Sequence, residues 1–224
     1  MIYLNRVQAR KFDSQMTEEY KISIDMLMEE SGRRVAEFVR GYLPKHKKIL
    51  ICVGKGNNGG DALSSIRHLL NFGYEIDIYI LSSELKPIPQ KYYEICKKLP
   101  INILKSIEEL EQNLPKYNLV IDALLGFNFK GELREPYKEI VKILNSSKKS
   151  ILSLDIPTGI DCDEGEVGES IRAQNILFMG CAKLGCYELE VKQFLADIGA
   201  PKQVYEKFEI DASQLFSKNI TQLK

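Results

Sequence analysis

Three short stretches of the chain combine glycine, carboxylate and hydrogen-bonding side chains at spacings that could do chemistry. The first is VGKGNNGGDAL, Val53 to Leu63. Gly54, Gly56 and Gly59 match G-x-G-x-x-G, the weak fingerprint of a dinucleotide loop. Asp77 lies near the distance expected for a carboxylate that holds a ribose. Glycine permits close backbone approach, and a helix starting near Gly60 would turn free N–H groups towards an anion. A Walker loop is excluded, because Gly59 is followed by Gly-Asp and not by Lys-Ser/Thr. The plainer reading is a tight strand-to-helix turn with Asn and Asp as turn and cap residues. The Asn57-Asn58-Gly59-Gly60-Asp61 cluster tells against it.

The second stretch is DALLGFNFKGELREP, Asp122 to Pro136. Asp122 falls at a strand end. Lys130, flanked by Gly126 and Gly131, could meet a phosphate or be an ordinary exposed lysine. Phe127 and Phe129 must either cover a ligand or fold inward, since exposed aromatic surface is unfavourable. The third stretch, DIPTGIDCDEG, runs from Asp155 to Gly165. Pro157 and Gly159 fix the backbone, so Asp155 and the Thr158 hydroxyl hold set directions. A carboxylate so placed is a candidate for proton transfer; a turn capped by Asp and Thr is the alternative. Asp161, Asp163, Glu164 and Glu166 then read as an exposed acidic loop without EF-hand spacing. Asn58, Asp122 and Thr158 are oxygen donors, and one carboxylate with neutral oxygens suits a monovalent cation.

The elements between these stretches decide whether they meet. Apolar runs and helical periodicities alternate: strands over 48–54, 74–81, 101–104, 117–126 and 150–159, with helices over 61–73, 89–99, 106–114 and 134–147 between them. Residues 174–180 and 192–199 add two shorter strands. Before the first strand, 5–16 and 23–43 read as helices, the latter capped by Ser23 or Asp25. Strand–helix alternation predicts an α/β fold, a three-layer α/β/α sandwich with a mostly parallel central sheet and an extra helical N-terminal segment, as one domain over 1–224. In such a sheet the three stretches share the carboxyl edge, where ligands bind.

Composition narrows the function. The chain has 224 residues, 31 basic and 31 acidic, and no net charge, so nothing draws it broadly to nucleic acid or an anionic membrane. No secretory signal or membrane-length apolar run is legible. Five cysteines without a signal predict reduced thiols in a cytoplasmic protein, and two histidines with no C-x-x-C leave poor material for zinc.

The three stretches together resemble the NAD(P)H-hydrate epimerase family, also called the YjeF N-terminal domain family. LMEESGRRVA resembles its N-terminal helix, VGKGNNGGDAL its glycine loop, DALLGFNFKGELREPY and LDIPTGID its two later motifs, and AKLGCYELEVKQFLADIGAP its C-terminal end. The likeness covers nearly the whole chain. It implies a Rossmann-like fold and interconversion of the R and S forms of hydrated NADH and NADPH (NADHX and NADPHX), which carry water at C6 of the nicotinamide ring. It implies that Asn57, Asn58, Gly59, Gly60 and Asp61, then Gly126, Phe127, Asn128, Phe129, Lys130, Gly131 and Glu132, bind that nucleotide, with Asp155 reaching it as the catalytic residue. It implies one potassium ion per subunit on Asn58, Asp122 and Thr158, a homodimer, and a separate ADP- or ATP-dependent dehydratase that repairs only the S form. Glu30, Ser31, Lys55, Ala62, Gln174, Ile176 and Ala182 depart from the family pattern. Two other functions fit parts of the sequence: a non-catalytic scaffold of the same fold, and a nicotinamide-dependent oxidoreductase using Gly54, Gly56, Gly59 and Asp77.

Overall fold

The computed structural model describes residues 3–82, 84–213 and 215–224. The chain opens with β1 (Tyr3–Leu4), α1 (Arg6–Ser14), a π-helical turn and α2 (Ile24–Tyr42). Asn5 and Gln8 close a reciprocal capping box on α1, and the Ser23 hydroxyl accepts from the Met26 N–H to cap α2. Then follow β2 (Lys48–Val53), α3 (Asn57–Asn71), β3 (Glu75–Ile80), α4 (Pro87–Cys96), β4 (Asn102–Leu104), α5 (Ile107–Asn113), β5 (Leu119–Ala123), α6 (Tyr137–Ser146) and β6 (Ser150–Leu154). The last part holds β7 (Ile160–Asp161), β8 (Gly165–Glu166), β9 (Asn175–Met179), β10 (Ala182–Lys183), β11 (Lys192–Ala196), α7 (Lys202–Glu206) and β12 (Ile220–Gln222).

Eight strands form one sheet in the order β12-β11-β9-β6-β5-β2-β3-β4, parallel throughout except for β12. The antiparallel β12 is the one main-sheet strand that periodicity does not reveal, being short and partly exposed. Strand alternation sorts the core. Ile49, Ile51, Val53, Ile121 and Leu152 face the layer that includes α2, α3 and α4, while Leu50, Cys52, Val120 and Ile151 face the layer of α5 and α6. The sandwich is therefore the three-layer α/β fold that the pattern predicts.

After β2 the chain walks outward through β3 and β4, then returns to place β5 on the other side of β2. This reversal opens a crevice at the carboxyl ends of β2 and β5, the usual ligand position in an open α/β sheet. The backbones there are very close. A Cβ on Gly54 would lie 1.7 Å from the Leu124 carbonyl oxygen, and one on Gly59 would lie 2.1 Å from that of Gly54. Glycine at these two positions is thus a packing requirement. Helix α3 begins at Asn57, four residues before Asp61, so the Asn-Asn-Gly-Gly-Asp string is its first turn rather than a loop ahead of it. Glycine's weak helix propensity hid that start; close packing overrides it.

Candidate active site

A cleft of about 490 Å³ lies at the switch point, between α1, α2 and the strand ends. Asn57, Asn58 and Asp61 reach it from α3; Gly126, Phe127 and Asn128 from the segment after β5; Asp155 from the end of β6. Gly59 and Gly60 are buried beneath it, Gly60 against Met28 and Pro89. Phe129, Lys130, Gly131 and Glu132 do not border it. Phe129 instead packs with the core on the α6 side, and the Gly131 N–H donates to Asp161 Oδ2 at 3.0 Å. Of the two phenylalanines, then, one borders the cleft and one folds inward.

Asp155 is buried and adopts φ 65°, the left-handed region that Asp and Asn tolerate best among residues with a Cβ. Its N–H donates to the Leu177 carbonyl at 2.8 Å. Such a strained, over-determined conformation is common where a side chain must be aimed. Asp155 Oδ1 forms an ion pair with Lys183, which ends β10 beside β1 and is 2 % exposed. Burial, the largest influence, would lower the Lys183 pKa; the charge and hydrogen bond of Asp155, with Cys181 and Asp13, together outweigh it and raise the pKa above the ordinary lysine value. Lys183 also donates to the Cys181 carbonyl at 2.7 Å and stands 5.5 Å from the Phe127 ring centre. Asp61 is pushed well above the usual carboxylate range by burial, then by Asp155 and Asp13, with Lys183 and the Ser31 hydroxyl pulling the other way. Asp13, on the α1 wall and still partly open to solvent, is pushed up to about 6, chiefly by the surrounding protein, with Lys183 opposing and Asp155 adding to the rise.

A second cluster sits immediately below. Asp122 is fully buried. Its Oδ1 accepts from the Thr158 hydroxyl at 2.7 Å, and its Oδ2 from the Ser153 hydroxyl and the Thr158 N–H at 2.8 and 2.9 Å. Burial raises its pKa, and those hydrogen bonds oppose the rise. Thr158 Oγ1 in turn accepts from the Leu125 N–H at 3.1 Å, and Asn58 Nδ2 donates to the Leu125 carbonyl at 3.0 Å. Asn58, Thr158 and Asp122 are thereby linked through one residue, Leu125. Asn58 Oδ1 is buried with no hydrogen-bond partner. A buried acceptor without a donor is costly, and a cation would relieve it. The set therefore fits a hard monovalent ion. Among the described residues no three His, Cys, Asp or Glu side chains are grouped to hold a metal, which leaves neutral oxygens with one carboxylate as the fitting chemistry.

Two expectations from sequence change here. Asp161 is not exposed: it is 1 % accessible and accepts from Arg6 Nη2 at 2.5 Å and from the N–H groups of Gly131, Asp163 and Glu164. It anchors the turn rather than decorating it. Asp77 does not reach the cleft. Alternation places it on the opposite face, where Lys48, Tyr117 and Asn102 bind it. The oxidoreductase reading loses its ribose carboxylate.

Comparison with known proteins agrees with this geometry. Residues 24–185 match the family described as YjeF-related protein N-terminus. The chain belongs to this YjeF-related family. Curated relatives named NAD(P)H-hydrate epimerase include one from Paramecium tetraurelia, 36 % identical over 92 % of this chain and 88 % of that protein. Another from Anopheles darlingi is 31 % identical over 98 % of both chains. The crystal structure of the yeast protein ynu0 (YNL200c) superposes over the whole of both chains with a TM-score of 0.89 at 26 % identity. Within the YjeF-related frame, the departures at Gln174 and Ile176 lie away from the cleft. Gln174 Oε1 accepts from the Ile151 N–H, and Ile176 is core. Ser31 does border the cleft. Lys183, Asp13 and Arg6 are functional candidates that sequence reasoning missed. Lys183 gave a signal, a lysine just past an apolar strand end; Asp13 gave none.

Proposed function

We propose that the protein is an NAD(P)H-hydrate epimerase, an isomerase that interconverts the R and S forms of NADHX and NADPHX. The observation that carries this is the cleft itself. A carboxylate aimed by strained backbone, a second carboxylate and a buried ammonium face one space at the switch point of a nucleotide-type fold. Its curated relatives carry that enzyme's name over nearly their full length. The first turn of α3, with N-cap Gly56 and no side-chain cap, leaves N–H groups to meet phosphate oxygens. Asn57, Asn58, Asp61, Gly126, Phe127 and Asn128 would hold the nucleotide, and Asp155 would move a proton at C6. Gly59 and Gly60 would act by letting the backbone approach, and Phe129 to Glu132 by supporting the segment.

Asn58, Asp122 and Thr158 would hold a potassium ion, which would offset the Asp122 charge and order the three segments. The products imply a dehydratase that consumes the S form as functional partner.

The test mixes the R epimer of NADPHX with an S-specific dehydratase and its nucleotide. Adding this protein should restore NADPH. Absence of restoration, with potassium present or absent, would favour the scaffold. Asp155→Asn keeps the left-handed backbone and an oxygen for Lys183 but no base, and should lower turnover by about 100-fold or more. Near-normal turnover in that variant removes Asp155 from the role.

A further inference from the structure

Asp13, Asp61 and Asp155 border one cleft, and Lys183 is the ammonium buried among them. Lys183 is committed by geometry. It is ion-paired with Asp155 and donates to the Cys181 carbonyl. Asp61 differs: it has no ion-pair partner among the described residues, and it shares the cleft wall with the Ser31 hydroxyl, which pulls its pKa down against the larger upward push. The two aspartates thus meet the same space with different partners. An incoming dinucleotide brings further negative charge, so both cannot ionise freely.

Resting on the epimerase reading, we propose that Asp61 gives the proton and Asp155 takes it, with Lys183 the positioning residue that keeps the two roles apart. The carboxylate beside the ammonium stays ionised and aimed. The one without a cation holds its proton, in keeping with the upward push that burial, Asp155 and Asp13 exert on Asp61. Pairs of carboxyls whose surroundings pull them in opposite directions supply the acid and the base of many enzymes.

The chemistry balances. Asp61 protonates the C6 hydroxyl, the C6–O bond breaks, water leaves, and the N1 lone pair closes a C6=N1 iminium. Water returning to the opposite face remakes the C6–O bond, the π pair returns to N1, and the surplus proton passes to Asp155. One proton has left Asp61 and one has reached Asp155, and no electron is gained or lost. Run backwards, the same set carries S to R, and exchange with solvent resets the pair.

Wild-type turnover in the coupled assay is measured first, so that silence there counts against the epimerase reading and not against this division of roles. Asp61→Asn keeps the shape and a hydrogen-bonding end but has no proton to give. Its kcat should fall by about 100-fold or more, and by clearly more than its affinity for NADP+, because the amide keeps a hydrogen-bonding end for the nucleotide. Lys183→Ala should lose a comparable factor, and ethylammonium in the buffer should restore about tenfold of it, a rescue that a purely structural lysine would not show. A kcat for Asp61→Asn within about threefold of wild type overturns the proposal. So does a loss of kcat matched by an equal loss of NADP+ binding, or a folded Lys183→Ala that ethylammonium does not rescue. If Lys183→Ala does not fold, Asp61→Asn decides alone.

Discussion

Asp61 and Asp155 are the same side chain in two surroundings, and at the scale of the residue the difference lies in what each touches. Asp155 has an ammonium; Asp61 has the Ser31 hydroxyl, at a position where this chain departs from its family's pattern. That hydroxyl favours the ionised form of Asp61 and so works against the burial that pushes its pKa up. Its removal has a definite sign. In Ser31→Ala the Asp61 pKa rises further. A proton donor loses activity as pH climbs through its pKa, so the alkaline limb of the kcat profile should move to higher pH. Ser31 is 2 % exposed and alanine fits the helix, so folding should be little affected. A profile that does not move, or moves to lower pH, separates Ser31 from Asp61.

At the scale of elements, α1 is held by Ala9 and Phe12 in the core and by one polar side chain at its start. Arg6 is 7 % exposed and donates to the carbonyls of Phe127 and Phe129 at 3.2 and 2.9 Å, and to Asp161 and Asp163 at 2.5 and 2.7 Å. It thus fixes α1, the segment after β5 and the turn after β6 against one another. Burial would raise the Asp161 pKa, but the N–H groups of Asp163, Gly131 and Glu164, with Arg6, outweigh it and bring it down to about 2 from 3.8. A carboxyl depressed in this way adds stability in full above its unfolded pKa. That stability is lost as pH falls from about 4 through 2, and amounts to ~2 kcal/mol. Asp161→Asn should cost more at neutral pH, about 3 kcal/mol, because the buried Arg6 loses its main countercharge. Urea midpoints should show that gap narrowing as the pH is lowered towards 2; a gap independent of pH would assign Asp161 a packing role alone. None of this cluster was legible in the sequence. Arg6 and Asp161 lie 155 positions apart, and four acids within six residues look like a solvated turn until their partner is known. The alternating elements and the three strand-end segments were legible, because periodicity and strand order are local or nearly so. Asp13 was not, because what brings it to the cleft is the crossing of α1 over the strand ends, and Lys183 gave only the signal of a lysine after an apolar strand, its partner Asp155 lying 28 positions away.

On the scale of the whole molecule, the residues proposed to hold a cation join parts of the fold that no single strand connects. Asn58 opens α3, Asp122 ends β5, Thr158 follows β6, and Leu125 bonds to two of them. An ion held there binds only the folded chain, so its affinity becomes stability through mass action, ~2.7 kcal/mol at a concentration one hundred times its Kd. For a chain of this length that corresponds to a Tm increase of roughly 5–10 °C. Melting in potassium chloride should therefore exceed melting in choline chloride at equal ionic strength. Equal ionic strength matters because screening alone shifts surface charge interactions. Asn58→Ala removes the unpartnered Oδ1 and should melt at the same temperature in both salts, while its melting in choline chloride falls modestly, since the Nδ2 bond to the Leu125 carbonyl is lost together with the unpaired acceptor. If wild type itself melts identically in the two salts, the Asn58–Leu125–Thr158–Asp122 chain is complete without an ion, and the three segments are held by hydrogen bonds alone.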